Sequence, residues 1–526
     1  MVLRTQRQRS EKIITVTTRE AGWRAASGVL ARCAAGVISM SALMSSSALA
    51  QEPTAPAPSA PATSTPAPAA AAPTAPATTS ALPTLAFEKY TLDNGLEVII
   101  HEDHRQPQVT VDVWYHVGAF EEEKGKTGFA HLFEHLMFQG SAHVPPEMHF
   151  RVLEEAGSAV INGTTDYDRT NYFESVPKHE VELALWLEAD RMGWLMESMT
   201  QAKLDEQRGV VKNERRQTTE GQPWGLAQEK LWQAIIPAYH PYHGAVIGSQ
   251  ADLDAATLDD VRRFYDRYYA PSNATLCIAG DITPAEAKKL VDKYFRSLPT
   301  WPKPDKPSVQ APTLSSVIRV THDETVGVLP WVEIVWLVPG RGQADELELE
   351  VLAHVLGDGI SSKLQEALLV QNEMAQSVSV EVEKMSNVSA FRIGAVVRPG
   401  VDPEEVLNTI QSQLDYLQEI PIQPDEVARA RKRIETEEIF SLETGFVRAE
   451  VLQDHNHYDR DPGAFTTRLQ KLRAVTDTSV MAALGKHLVK DRRAILVAAP
   501  KAATTPAAEP AAPAAAVPAP AASEKK

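Results

Sequence analysis

Cysteine is nearly absent: the 526 residues hold only Cys33 and Cys277. A disulfide framework is thereby excluded, even in an oxidising compartment. Cys277 falls in the apolar strand pattern "NATLCIAGD" and is expected to be a buried small hydrophobe. Positive charge is also in deficit, with 52 Lys and Arg against 69 Asp and Glu and a net charge of −17. Such a chain offers no bulk field for nucleic acid. Long apolar runs are missing too, which excludes a spanning bundle and any stable membrane insertion.

The chain ends differ in composition from its middle. Residues 1–50 carry seven basic and two acidic residues, then a modestly apolar stretch closing on Ala48-Leu49-Ala50. That order fits a cleaved signal peptide ahead of Gln51, so export, as to a bacterial periplasm, is expected. Its removal would take the net charge from −17 to −22. Residues 51–84 are Pro/Ala/Thr repeats that bury nothing and read as an extended linker, and residues 501–526 form a similar Ala/Pro-rich tail.

Between these ends, strands and helices come mixed, which indicates α+β rather than a doubly wound sheet. "LEVIIHED" and "QVTVDVWYHV" alternate as strands, and "TGFAHLFEHLMFQG" reads as a helix ending at Gly140. "TLDDVRRFYDRYYAP" opens with Thr257 and Asp260 at capping-box spacing. A Pro-rich connector, residues 299–314, divides residues 85–298 from 315–500. The second part restarts the first: "VDVWYHVGAF" is echoed by "VEIVWLVPGR", and "HLMFQGS" by "HVLGDGIS" about 219 residues on. A duplicated domain is expected. On that register His135 meets His354, but His131 meets Glu350 and Glu134 meets Ala353, so only the first copy can carry a site built from all three.

Those three residues form H-x-x-E-H within "TGFAHLFEHLMFQGS". On a helix, His131 and His135 project from one face and can reach one ion, with Glu134 beside them as a free carboxylate. This inverts the H-E-x-x-H zinc motif, and two imidazoles favour zinc over magnesium. Against it stands the bland reading of helix histidines that merely pack. A third ligand would separate the two, and Glu206, Glu214 and Glu220 are all available in "LDEQRGVVKNERRQTTE".

Six ordered motifs bear on the choice: "DNGLEVII", "GFAHLFEHLMFQGS", "INGTTDYDRTNYFESVP", "VVKNERRQ", "HPYHGAVIGSQADL" and "FYDRYYAPSNATLCIAGDI". Together they resemble the pitrilysin/insulinase family of zinc peptidases, densely over 85–300 and more loosely over 315–490, where "GDGISSKL" is the clearest trace. The resemblance implies two homologous domains, each a mixed, mainly antiparallel sheet with helices packed on it, forming half of a clamshell chamber. It implies one Zn2+ per chain held by His131, His135 and Glu214, with Glu134 as general base in peptide hydrolysis. Asn162 falls where the family has an edge-strand asparagine that pairs with substrate backbone. Two departures stand out. The family commonly has a glutamate seven residues before the ligand glutamate, and here Gln207 stands there beside Glu206, so an orienting contact is altered. The family also carries an arginine and a tyrosine seven apart in the second domain to grip substrate, where this chain has Leu369 and Gln376. The expected protein is therefore a zinc-binding subunit that hydrolyses short or unfolded peptides with a homologous partner supplying that pair. The alternatives are a silent scaffold of the same fold and a metal-independent peptide-binding module.

Overall fold

A computed structural model describes residues 82–501. The expected leader, nearly all of the linker and the C-terminal tail lie outside the described residues. The first half runs β1 (Glu88–Thr91), β2 (Glu97–Glu102), β3 (Gln108–Tyr115), α1 (Phe129–Leu136), α2 (Met148–Glu155), β4 (Val160–Thr165) and β5 (Thr170–Pro177). It continues with α3 (Val181–Ser198), α4 (Gln201–Arg215), α5 (Gly225–Ile235), α6 (Gln250–Ala255), α7 (Leu258–Tyr268), β6 (Ala274–Gly280) and α8 (Pro284–Tyr294). The second half runs β7 (Ile318–Glu324), β8 (Trp331–Pro339), α9 (Glu346–Gly357), β9 (Ala375–Glu383), β10 (Val388–Val397) and α10 (Pro403–Glu419). It ends with α11 (Pro424–Ser441), α12 (Gly445–Tyr458), α13 (Ala464–Ala474), α14 (Asp477–His487) and β11 (Ala494–Pro500).

The duplication is written in the sheets. The first has the order β1-β2-β6-β3-β5-β4 and the second β7-β11-β8-β10-β9, the same arrangement without β1. In each, one pair is parallel, β2 with β6 and β7 with β11, and every other pair is antiparallel. Both halves are thus α+β, each a mixed, mainly antiparallel sheet with helices against it.

Each half also lends a helix to the other. Strands β3, β5 and β6 are buried along almost their whole length, so their sheet must be covered on both faces. One cover is α12 from the second half: Ala449 and Leu452 pack on Ile99, Cys277 and Ala279, and Phe446 meets Phe173 with ring centroids 4.5 Å apart. Cys277 is indeed a buried small apolar residue. Gln453 of α12 donates from Nε2 to the backbone carbonyls of Asp112 and Thr275, both at 2.9 Å. Reciprocally, Ala227, Leu231, Trp232 and Ile235 of α5 pack on Val335, Ala390, Ala494 and Leu496 of the second sheet. The starts of α5 and α12, Gly225 and Gly445, repeat the offset of the sequence echo to within a residue.

One boundary differs from expectation. The helix after Gly128 stops at Leu136, not at Gly140. Phe138 N–H bonds to His135 O and Gln139 N–H to Leu136 O, a tightened last turn. Gly140 then takes φ +84°, and Ser141 leaves the helix to hydrogen-bond Asp190. The capping box at Thr257 and Asp260 is present as read.

Candidate metal centre

The site is built on α1. Its start is fixed by two glycines back to back: Gly128 at φ +86° and Gly248 at φ +78°, where a Cβ on Gly128 would lie 2.7 Å from Gly248 Cα. Thr127 completes the join, donating from Oγ1 to Asp252 at 2.5 Å and accepting from Ser249 N–H at 3.0 Å. The first backbone donors of α1 are not left orphaned. Glu122 accepts from Gly128 N–H at 3.0 Å and from Ala130 N–H at 2.9 Å, placing a carboxylate at the positive end of the helix dipole.

Leu132, Phe133 and Leu136 bury one face of α1 in the first core, which turns His131, Glu134 and His135 toward α4 and β4. The two imidazoles lie edge to face, centroids 4.9 Å apart. Glu214 Oε2, from α4, is 3.2 Å from His135 Nε2 and 3.7 Å from His131 Nε2. Two ligand atoms each ~2.1 Å from a tetrahedral zinc stand ~3.4 Å apart, so the observed spacings bracket the geometry such an ion requires. Two imidazole nitrogens and one carboxylate oxygen, all within 4.8 Å of one another, are a zinc-type donor set. The residues present fit the metal.

Electrostatics agree. Burial holds His131 below the usual histidine range, in the neutral form a ligand needs. Burial alone would raise Glu214, but the hydrogen bond with His135 and the fields of both histidines outweigh it and keep the carboxyl low. The side chain of Glu214 is 36% exposed and that of His131 only 11%, so the site is closed at its floor and open at its mouth.

The other expected residues fall as follows. Glu134 stands apart from the converging trio, with its Oε2 accepting from Thr165 Oγ1 at 2.7 Å. Glu206 is exposed on α4, and Glu220 is engaged by Gln250. Gln207 is buried, and among the described residues His131 Nδ1, also buried, finds no hydrogen-bond partner at the position where a ligand histidine is normally oriented. Asn162 is exposed on β4, which is the edge of its sheet, and its Oδ1 accepts from Gly163 N–H at 2.9 Å. Leu369 is partly buried against the second core and Gln376 is exposed on β9, so neither supplies a cation or a phenol.

Sequence reasoning missed Glu122, Gly248, Asp252 and Thr165, whose roles depend on contacts distant along the chain. It also missed a second cluster, His149, Glu174 and Glu188, all buried beneath the first sheet's helices. There Glu188 is taken by Arg191, which donates from both Nε and Nη2, so that group carries its own cation.

Comparison with known proteins supplies the lineage. Residues 97–237 match the family "Insulinase (Peptidase family M16)", and residues 255–434 match "Peptidase M16 inactive domain". The chain is 29% identical over 375 residues to zinc protease PqqE of Helicobacter pylori, covering 70% of this chain and 83% of that one. The crystal structure of a protease from Helicobacter pylori superposes with a TM-score of 0.75 at 26% identity, over 79% of this chain and all of the other. The periplasmic protease PqqL of Escherichia coli gives a TM-score of 0.64 at 18% identity, over 80% of this chain and 48% of that one. The peptidase model thus covers the stretch that holds H-x-x-E-H, while the inactive-domain model runs from the end of α6 in the first half into α11 of the second and contains no such set: the chain belongs to the insulinase family, peptidase family M16.

Proposed function

We propose that this chain is the zinc-binding subunit of an exported endopeptidase that cleaves short or unfolded peptides. The observation that carries the reading is the convergence of His131, His135 and Glu214 with Glu134 beside them but outside the trio. His131, His135 and Glu214 would hold the ion, which when bound supplies a Lewis acid for the scissile carbonyl and for water. Glu134, one oxygen of which is not taken by Thr165, accepts the proton of the attacking water and passes it to the leaving amine. The open edge of β4 at Asn162 would receive the substrate as an added strand, a mode that reads backbone rather than side chains. A chamber closed by a second chain would admit extended peptides and exclude folded proteins. Export is supported by the leader pattern and by the periplasmic location stated for PqqL. Among the described residues no helix is long and apolar enough to cross a membrane.

Leu369 and Gln376 favour a specific form of this reading, in which a homologous subunit supplies an arginine and a tyrosine to the peptide. The same two residues also support the rival reading, a silent scaffold. Zinc content and turnover of an unfolded peptide, measured with and without the homologous subunit, decide between them: zinc with partner-dependent turnover supports the enzyme, and no turnover in any combination supports the scaffold.

A further inference from the structure

Strand β4 touches the candidate base from two positions on one face. Thr165 Oγ1 donates to Glu134 Oε2 at 2.7 Å. Two residues earlier on the same face, Gly163 leaves room for the glutamate: a Cβ there would lie 3.1 Å from Glu134 Cγ, 3.1 Å from Tyr172 Cδ1 and 3.2 Å from Asn171 O. The strand is held rigid from its other face. Thr164 Oγ1 donates to Asn171 Oδ1 at 2.5 Å, and Arg169 Nη1 donates to Thr164 O at 3.1 Å and Asn171 Oδ1 at 3.1 Å. Among the described residues, only one side of β4 is paired, to β5, with Gly163 opposite Tyr172 and Thr165 opposite Thr170.

We propose that Thr165 is a positioning residue for Glu134: its hydroxyl holds one carboxylate oxygen so that the other is presented to the attacking water. The proposal rests on the peptidase reading above. A glutamate side chain has several rotatable bonds and wanders unless its carboxylate is tied, and a hydroxyl bonded to an ionised oxygen is a strong tie. The strand that would receive the substrate's backbone is therefore also the strand that sets the base. A peptide adding to the free edge of β4 would pair with the same strand that carries Thr165.

The test compares Thr165→Val, which keeps the shape and removes the hydroxyl, with Thr165→Ser, which restores it. Crystal structures of both variants of the full zinc-loaded chain read the position of Glu134 directly. In Thr165→Val the carboxylate should leave its present place. With the homologous subunit added, kcat should fall ~10–100-fold, the range for losing a partner that orients a site residue. KM, zinc content and Tm should stay unchanged, which a merely structural role would not leave untouched, and Thr165→Ser should recover both the pose and most of the rate. Glu134 unmoved in Thr165→Val, with kcat within twofold of wild type, overturns the proposal. If the wild-type chain hydrolyses no peptide under any condition, the peptidase reading falls by itself, while the position of Glu134 in Thr165→Val still decides whether Thr165 holds it.

Discussion

Glu350 stands in α9 where His131 stands in α1, 219 residues apart. What faces it is a cation belonging to the chain. Arg468 Nη2, from α13, lies 2.5 Å from Glu350 Oε2 and 2.9 Å from Glu438 Oε1 on α11, the helix that repeats α4. Lys384 adds a second contact, 2.8 Å from Glu350. Where the first half gathers two imidazoles and a carboxylate, the second gathers carboxylates and fills them with a guanidinium. Loss of the metal motif is thus a replacement and not a vacancy.

That arrangement leads to a prediction about stoichiometry. Metal analysis of the purified chain is expected to give one zinc, and Arg468→Ala should not add a second. The variant should instead lose ~3 kcal/mol, the low end for breaking a buried ion pair, because Lys384 still partners Glu350. Denaturant midpoints measure it, and a second bound zinc or an unchanged midpoint would contradict the assignment.

Glu134→Gln keeps the size of the side chain and its place beside Thr165 while removing a proton acceptor. Zinc should remain near one per chain and peptide hydrolysis should fall at least ~10²-fold. Undiminished turnover would remove Glu134 from the reaction.

Glu214→Ala is expected to lose zinc together with activity, as is His131→Ala, because each removes one of the three proposed ligands. Glu206→Ala, at an exposed position on the same helix, should retain both. Zinc retained by Glu214→Ala and stripped by Glu206→Ala would place the third ligand elsewhere.

Leu369 and Gln376 lead to a prediction about assembly. The isolated chain should bind zinc yet hydrolyse peptides poorly or not at all, since no arginine and tyrosine occupy those positions in any copy of it. Addition of a homologous chain that keeps that pair and lacks the H-x-x-E-H set should restore turnover, and substitution of its arginine or tyrosine should abolish it again. Full activity of this chain alone would mean that substrate is gripped by other residues.

Two buried histidines make the contact between the halves sensitive to acid. His116 of β3's end and His457 of α12 share one hydrogen bond, Nδ1 to Nδ1 at 2.7 Å. Burial, then the charges of Lys303 and Lys306, push His116 down to about 3, against the pull of Glu97. Burial, then His116, Lys306, Arg460 and Arg341, hold His457 far below its usual range. The unfolded chain takes up protons at these rings below about pH 6.5, whereas folded His116 resists until about pH 3. Their contribution to stability is therefore complete above pH 6.5 and is lost as pH falls through that window. Unfolding midpoints between pH 7 and 4 should decline less steeply in His457→Gln than in wild type, and equal slopes would refute the role.

Much of the site was readable because its first part is local. His131, Glu134 and His135 lie within five residues, and helical spacing alone brings them to one face. Glu214 is 79 residues beyond His135, and nothing in its own neighbourhood distinguishes it from Glu206 or Glu220, so only the ordered motifs singled it out. Glu122 was harder still. It is one of three consecutive glutamates at 121–123, and its function as a cap appears only when the chain folds it onto Gly128 and Ala130. The sheet duplication was legible from repeated strand patterns, but the destinations of α5 and α12 were not. The periodicity of "GLAQEKLWQAI" announces an apolar face without saying which sheet will cover it.

The exchange of α5 and α12 has a mechanical meaning. Were residues 299–314 cut, each fragment would still hold a helix embedded in the other's sheet, and separation would strip Leu231 and Trp232 from one surface and Leu452 and Phe446 from another. The polypeptide is two repeats in descent but is expected to unfold as one cooperative unit, with the connector carrying little of the load. On the proposed peptidase reading, a body interlocked in this way cannot serve as its own jaw, and admission of a substrate would fall to the seam with a second chain.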